Sequence, residues 1–170
     1  AASREALLRA AWIADTAPQG PVYVNLDAGL QEAALDAPLP EIDPARFRPR
    51  VAQGASAEQV QDLAGMLEQA RRPVILAGRA TRCPEAWQAR IRLAERLGAR
   101  VVTDLKIGSS FPTDHPLHVG APGIYVVPEA RAELAEADLI LSLDWVDLGG
   151  TLDSVYEGAA PRAQIVQVSL

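Results

Sequence analysis

The segment Arg72-Pro-Val-Ile-Leu-Ala-Gly78 opens after an arginine pair, runs from a proline through apolar residues without interruption and closes on a glycine. An apolar run with no polar alternation predicts a strand buried on both faces, the condition of a parallel sheet covered by helices. Glycine at its end lets backbone approach a neighbouring group closely. The outline recurs. Ala99-Arg-Val-Val-Thr103 leads into Asp104-Leu-Lys-Ile-Gly108-Ser-Ser-Phe-Pro112, and Ala137-Asp-Leu-Ile-Leu-Ser-Leu143 leads into Asp144-Trp-Val-Asp-Leu-Gly149-Gly150. Apolar strands that each run into a polar or glycine-bearing loop describe one wall of an open α/β sheet, where ligands sit at the carboxyl ends.

The segments between these strands alternate with them. The pattern predicts a strand over 73–77, a helix over 84–97, a strand over 99–103 and a loop-rich stretch to 123. A helix over 128–136, a strand over 138–143, a short helix near 151–157 and a strand over 165–169 follow. Such alternation means parallel strands joined by right-handed crossovers. Ser56-Ala-Glu-Gln59 reads as the cap of a helix reaching Ala70, with Val60, Leu63, Ala64 and Leu67 on one face. Upstream, 3–17 is expected to be helical, capped by Ser3, with Ala6, Leu7, Ala10, Ala11 and Ile13 near helical spacing. Gly20-Pro-Val-Tyr-Val-Asn-Leu26 reads as a turn and a strand. Pro38, Pro40, Pro44 and Pro49 among charged residues predict an extended linker. The expected organisation is a helix–strand piece over 1–36, a linker over 37–55 and a main domain over 56–170. The chain opens on Ala-Ala-Ser and ends within the strand pattern Ile165-Val-Gln-Val-Ser-Leu170, so a piece of a longer polypeptide is expected.

Composition narrows the function classes. A net charge of −6 with a single lysine, Lys106, and no basic run longer than Arg71-Arg72 opposes nucleic acid or an anionic membrane surface as the main partner. No apolar stretch reaches the ~18 residues of a membrane span, and no basic-then-apolar leader opens the chain, so a cytoplasmic protein is expected. One cysteine, Cys83, excludes an intrachain disulfide. Cys83 precedes Pro84 at an expected helix start and reads as a small turn residue. His115 and His118 are the only histidines, no acidic residues stand at ligand spacing beside them, and no metal site is expected.

Several motifs in order resemble one known family. They are Arg72-Pro-Val-Ile-Leu-Ala-Gly78, Ala94-Glu-Arg-Leu-Gly-Ala-Arg-Val-Val-Thr103, Gly108 with Phe111-Pro112, Asp114-His-Pro-Leu-His-Val-Gly120, Ala137-Asp-Leu-Ile-Leu-Ser-Leu143 and Ile165-Val-Gln-Val. Together they resemble the central domain of thiamine-diphosphate-dependent enzymes of the acetolactate synthase, benzoylformate decarboxylase and oxalyl-CoA decarboxylase type. Gly20-Pro-Val-Tyr-Val-Asn-Leu26 resembles the last strand of their preceding pyrimidine-binding domain. The resemblance implies an α/β, Rossmann-like, three-layer open parallel sheet of five to six strands with helices on both faces, preceded by a helix–strand remnant. It implies a decarboxylase or carboligase acting on 2-oxo acids, in which this domain is architectural and the remaining domains belong to the same polypeptide. A homo-oligomer, dimer or tetramer, is implied with it. Thiamine diphosphate and Mg²⁺ serve the full-length enzyme and are held by motifs absent from this chain, so no catalytic residue is assigned and the piece alone is expected to be inactive. In that family the central domain holds FAD, ADP or nothing. A competing reading is a stand-alone nucleotide- or flavin-binding module of the electron-transfer flavoprotein or deacetylase-like kind, which leaves 20–26 and the proline segment without a role.

The candidate nucleotide contacts follow from the resemblance. Gly78 and Arg79 stand where relatives carry glycines, so that Gly78 would lie against a ribose or phosphate and Arg79 would pair with the phosphate; the alternative is a turn and a solvated arginine. Asp144 would hold a ribose hydroxyl and Trp145 would stack on a ring, or Trp145 caps the sheet. Gly120 and Gly123 bound a turn that touches the cofactor in flavin-binding members, although glycines make turns without a ligand. His118 reads as a half-buried strand residue, Lys106 as a loop lysine or a phosphate partner, and Gly149-Gly150-Thr151 as a turn or an anion cradle.

Overall fold

The computed structural model describes residues 2–16, 19–48 and 54–169. The chain divides into two units, Ala1–Gly54 and Ala55–Ser169. Ala17, Pro49 and Leu170, which the sequence reading placed in the first helix, the linker and the last domain, lie outside the described residues.

In the first unit, helix α1 spans Ala2–Asp15, so Ser3 lies within its first turn rather than capping it. Its apolar residues Leu7, Trp12 and Ile13 remain substantially exposed. The stretch 20–26, expected to hold a strand, carries no ladder pairing, and Tyr23 is 89% exposed. Strand propensity alone cannot hold an extended segment in a sheet: without a neighbour to satisfy its N–H and C=O groups no ladder exists. A short helix follows, α2 (Ala28–Glu32), capped by the Asp27 carboxylate, which accepts from Leu30 N at 3.2 Å. The expected extended linker is partly folded. Asp43 accepts from Ala45 N at 2.9 Å and Pro44 occupies the first helical position, which closes a 3₁₀ turn over Pro44–Phe47. That turn packs against α1, and Arg4 donates to the Pro40 carbonyl at 3.2 Å.

The second unit is a parallel four-stranded sheet in the order β2-β1-β3-β4. Its strands are β1 (Pro73–Ala77), β2 (Arg100–Thr103), β3 (Leu139–Leu143) and β4 (Gln164–Val168), all paired in parallel. A single parallel bridge from Val101 to His118 places one further residue beyond β2. All five residues of β1 are buried, as an uninterrupted apolar run requires of a central strand. Val74, Leu76, Val102 and Ile140 face a core shared with α5 (Pro128–Glu136) and α6 (Leu148–Tyr156). Ile75, Ala77, Val101, Leu139 and Leu141 face the other core, shared with α3 (Ala57–Gln69) and α4 (Pro84–Leu97). The three expected layers are therefore present, with four paired strands where five to six were expected.

Helices α3 and α6 start on side-chain caps, whereas α4 and α5 start on a proline without one. Ser56 caps α3 in a complete capping box with Gln59, as expected. The packed stripe of α3 is Leu63, Met66, Leu67 and Ala70, while Val60 and Ala64, expected on that face, are exposed. Helix α6 begins earlier than expected, at Leu148, because Asp147 caps it by accepting from Gly150 N at 2.9 Å. The Gly149-Gly150-Thr151 turn is thereby converted into the first turn of a helix.

Candidate functional site

In the order β2-β1-β3-β4 the chain leaves β1 toward one side and returns to β3 on the other, so the crossovers diverge between β1 and β3. Open α/β sheets bind ligands at the carboxyl ends of such a pair. Here those ends carry Gly78-Arg79 and Asp144-Trp145, four of the six predicted contact residues.

The structure brings Gly78, Arg79 and Asp144 into direct contact. Gly78 N donates to Leu143 O at 3.0 Å and Arg79 N donates to Asp144 O at 3.1 Å. A Cβ on Gly78 would collide with the Asp144 carbonyl and lie 2.7 Å from Trp145 Cα. The glycine therefore serves the approach of one loop's backbone to the other, the role the sequence reading gave to a ligand. The guanidinium of Arg79 grips the Asp144 carboxylate with both prongs, Nε to Oδ2 at 3.0 Å and Nη2 to Oδ1 at 3.2 Å. Asp144 has φ of 52°, in the left-handed region, and its N–H donates to Val168 O at 2.7 Å. A latch thus closes the switch point with the residues expected to hold a ligand.

Trp145, the next residue, turns toward the other side of the sheet. Its indole lies in the core beside α5 and α6, 8% exposed, with Nε1 donating to Thr151 Oγ1 at 2.8 Å. It also walls a cleft of about 530 Å³. The cleft is bounded by the end of β2 and its loop, the 119–127 loop, α5 and α6, and a volume of this size suits a small-molecule ligand. Gly123 lines it, whereas Gly120, between the lining residues Val119 and Ala121, does not. Gly120 has φ of 65°, and a Cβ there would meet Val127 Cγ2 at 2.5 Å, so only glycine closes this loop onto the start of α5. Ile124 and Tyr125 stand at the cleft mouth, 82% and 86% exposed, and Lys106 lines it from the β2 loop.

A profile of the thiamine pyrophosphate enzyme central domain matches residues 60–170. The chain belongs to this family. It is 30% identical to the acetolactate synthase large subunit of Corynebacterium glutamicum over 98% of the chain and 26% of that protein. It is 34% identical to the sulfoacetaldehyde acetyltransferase of Castellaniella defragrans over 88% of the chain and 24% of that protein. Among solved structures it superposes on benzoylformate decarboxylase from Polynucleobacter necessarius with a TM-score of 0.65 and 27% identity, covering 96% of the chain and 30% of that structure. The chain thus spans about a quarter of the length of the curated relatives it matches.

For a central domain, the question is what its own side chains can hold. Thiamine diphosphate with Mg²⁺ needs converging oxygen ligands and an anion cradle. Among the described residues no three His, Cys, Asp or Glu side chains converge. The strand-end carboxylates are also committed: Asp104 to Lys106 N at 2.9 Å, Asp144 to Arg79, and Asp147 to Gly150 N. Asp147 further repels an anion from the α6 N-terminus, whose first turn holds Gly149-Gly150. The residues of this chain do not fit thiamine diphosphate. The cleft wall instead offers aromatic surface from Trp145 and Tyr125 and a cation from Lys106.

Other polar residues at this end of the sheet are structural. His118 Nε2 lies 2.9 Å from Thr103 Oγ1, and burial pushes its pKa below the usual 6.5, so the ring is neutral at pH 7. It is the half-buried residue the sequence predicts. Two residues escaped the sequence reading. Arg90 of α4 donates from Nε to Ser110 O at 2.8 Å and from Nη1 to Thr81 O at 2.9 Å, which ties the loops after β1 and β2 to one helix. At the opposite end of the sheet Asp138 accepts from Arg71 N at 2.6 Å and Arg72 N at 3.0 Å. Neither position has a pattern that marks it, because each works through backbone groups brought close only by folding.

Proposed function

We propose that this chain is the architectural middle of a thiamine-diphosphate-dependent decarboxylase or carboligase acting on a 2-oxo acid, and that its cleft takes a nucleoside diphosphate such as ADP. The cleft beside the switch point carries the reading. It has ligand-like volume, an aromatic wall in Trp145, a glycine-closed loop with Tyr125 at its tip, and the chain's one lysine on its rim. ADP suits this volume better than FAD, whose second half would extend beyond the described walls. Gly123 and Trp145, which line the cleft, and Gly120, which shapes its loop, are assigned to the ring-binding side; Gly78, Arg79 and Asp144 do not line it and are assigned to holding the loops after β1 and β3 together.

The chain's share of its relatives' length supports a reading in which catalysis belongs to further domains of the same polypeptide. Its own contribution is to bind and to space: a sheet buried on both faces gives a rigid block, and strand-end loops give a binding edge. The same reading carries a cytoplasmic homo-oligomer as its setting, and no helix of the described residues is long and apolar enough to cross a membrane. Calorimetric titration of the 170-residue chain with ADP tests the nucleotide assignment. Saturable heat with one site per chain is expected, and no heat up to millimolar ADP would leave the domain purely architectural.

A further inference from the structure

The chain's only two histidines, His115 and His118, stand three residues apart and hold the same short segment in place. The segment 115–119 is a turn, closed by His118 N donating to His115 O at 2.9 Å, that lies along the outer edge of β2. Two backbone bonds join it to that strand: Val101 N donates to Leu117 O and Val119 N to Val101 O, both at 2.9 Å. The histidine rings add the side-chain contacts. His115 Nδ1 accepts from Leu117 N at 3.2 Å, its Nε2 lies 3.4 Å from Glu95 Oε1 of α4, and its ring packs edge-on against Phe111. His118 Nε2 pairs with Thr103 Oγ1 of β2 at 2.9 Å. A ring nitrogen that accepts from a backbone N–H carries no proton, so the His115 contact to Leu117 exists only while that ring is neutral.

We propose that His115 and His118 together form an acid-released fastening: while both rings are neutral the segment 115–119 stays on β2, and their protonation frees it. The inference is independent of what the cleft binds. It bears on the cleft all the same, because Thr103 and Val119, on the two sides of the fastening, both line its wall.

The two rings respond to a proton in different ways. At His115, a proton on Nδ1 replaces the acceptor with a second N–H facing Leu117 N, which removes one bond and sets two donors against each other. Glu95 gains from the cation, yet its side chain is 56% exposed and water screens the gain. At His118 the bond to Thr103 survives, since a hydroxyl oxygen can accept; the cost there is a charge placed in a half-buried site against a buried threonine. Burial accordingly pushes the His118 pKa below 6.5. Because that pKa is lower in the closed form than in the open one, His118 supports closure in full above pH 6.5 and the support is lost as pH falls through the folded value. The other charges that reach this segment are already engaged or stand off from the rings. Arg100 of β2 donates to Pro116 O at 3.1 Å and pairs with Glu133 of α5 at 3.2 Å; Asp104, next to Thr103, accepts from Lys106 N at 2.9 Å; and Glu129 of α5 faces Gly120, two residues beyond His118.

Amide hydrogen exchange of the 170-residue chain, followed by NMR at about pH 7.5 and about pH 5, reads the fastening once each rate is divided by its intrinsic value. In wild type the protection of Val101 and Val119 is expected to fall about fivefold or more at the lower pH, while Ile75 and Leu141 in the sheet centre keep theirs. His118→Gln keeps a partner for Thr103 and His115→Asn keeps an acceptor for Leu117 N, and neither new side chain can be charged. Each substitution is expected to reduce the loss, and the double variant to abolish it. The midpoint of the loss in wild type should also coincide with the titration of a histidine Cε1–H resonance, a readout that needs no variant. Protection of Val101 and Val119 that does not change with pH, or the same loss in the double variant as in wild type, would overturn the proposal. A loss shared equally by Ile75 and Leu141 would overturn it as well, because the whole sheet would then be opening.

Discussion

At the N-terminal end of the sheet the carboxylate of Asp138 binds the backbone N–H groups of Arg71 and Arg72, whereas at the C-terminal end the carboxylate of Asp144 binds the side chain of Arg79. Both link β1 to β3, and both use an aspartate from the same strand or its edge. The difference lies in the partner. A backbone N–H cannot move away without unravelling β1, so the Asp138 clasp is part of the fold; a guanidinium on a flexible stem can turn to another anion at small cost. Burial alone would push the Asp138 carboxyl up, but the N–H groups of Arg71, Arg72, Asp138 and Leu139 outweigh it and hold the pKa below its usual 3.8. One end of the sheet is therefore tied through backbone groups and the other through an ion pair between side chains.

Substitutions at the two ends should behave accordingly. The largest effect is expected from Gly78→Ala, which forces a Cβ into the Asp144 backbone and separates the two loops. A loss of about 1–3 kcal/mol in urea unfolding is expected from this overpacking, together with weaker ADP binding. Unchanged stability would mean that the two loops are not held in contact. A smaller effect, about 1 kcal/mol, is expected from Asp138→Ala, because the clasp bonds are charge-assisted but the side chain is exposed. Since the folded pKa lies below the unfolded one, the stability from Asp138 is complete above the usual carboxylate value and is lost as pH falls through the folded value. The gap between wild type and Asp138→Ala should therefore close below pH 3.8, and a gap constant down to strongly acid pH would show that the carboxylate charge is not what holds the clasp.

The same contrast explains what was legible in the sequence. β1, α4 and α5 fall where periodicity, Pro84, Pro128 and Gly98 place them, because those signals act within a few residues. The stretch 20–26 was misread for the converse reason: its pattern is that of a strand, but a strand is completed by a neighbour, and the described residues offer it none. Of the site, positions were legible and partners were not. Gly78, Arg79, Asp144 and Trp145 stand at the predicted strand ends, yet only the folded chain shows that Asp144 takes the arginine and its backbone takes the glycine's space. Gly120 and Gly123 fall on the cleft loop as the family resemblance implies, while Arg90 and Asp138 act across long sequence separations to backbone atoms.

Ligand binding is expected at the cleft end of the sheet alone. Amide and indole NMR shifts of the chain titrated with ADP test it most directly. Saturable shifts are expected at Thr103, Tyr125, Thr151 and the Trp145 Nε1–H, and none at Arg71, Arg72 or Asp138. Shifts confined to the Asp138 end, or absent throughout at millimolar ADP, would contradict it.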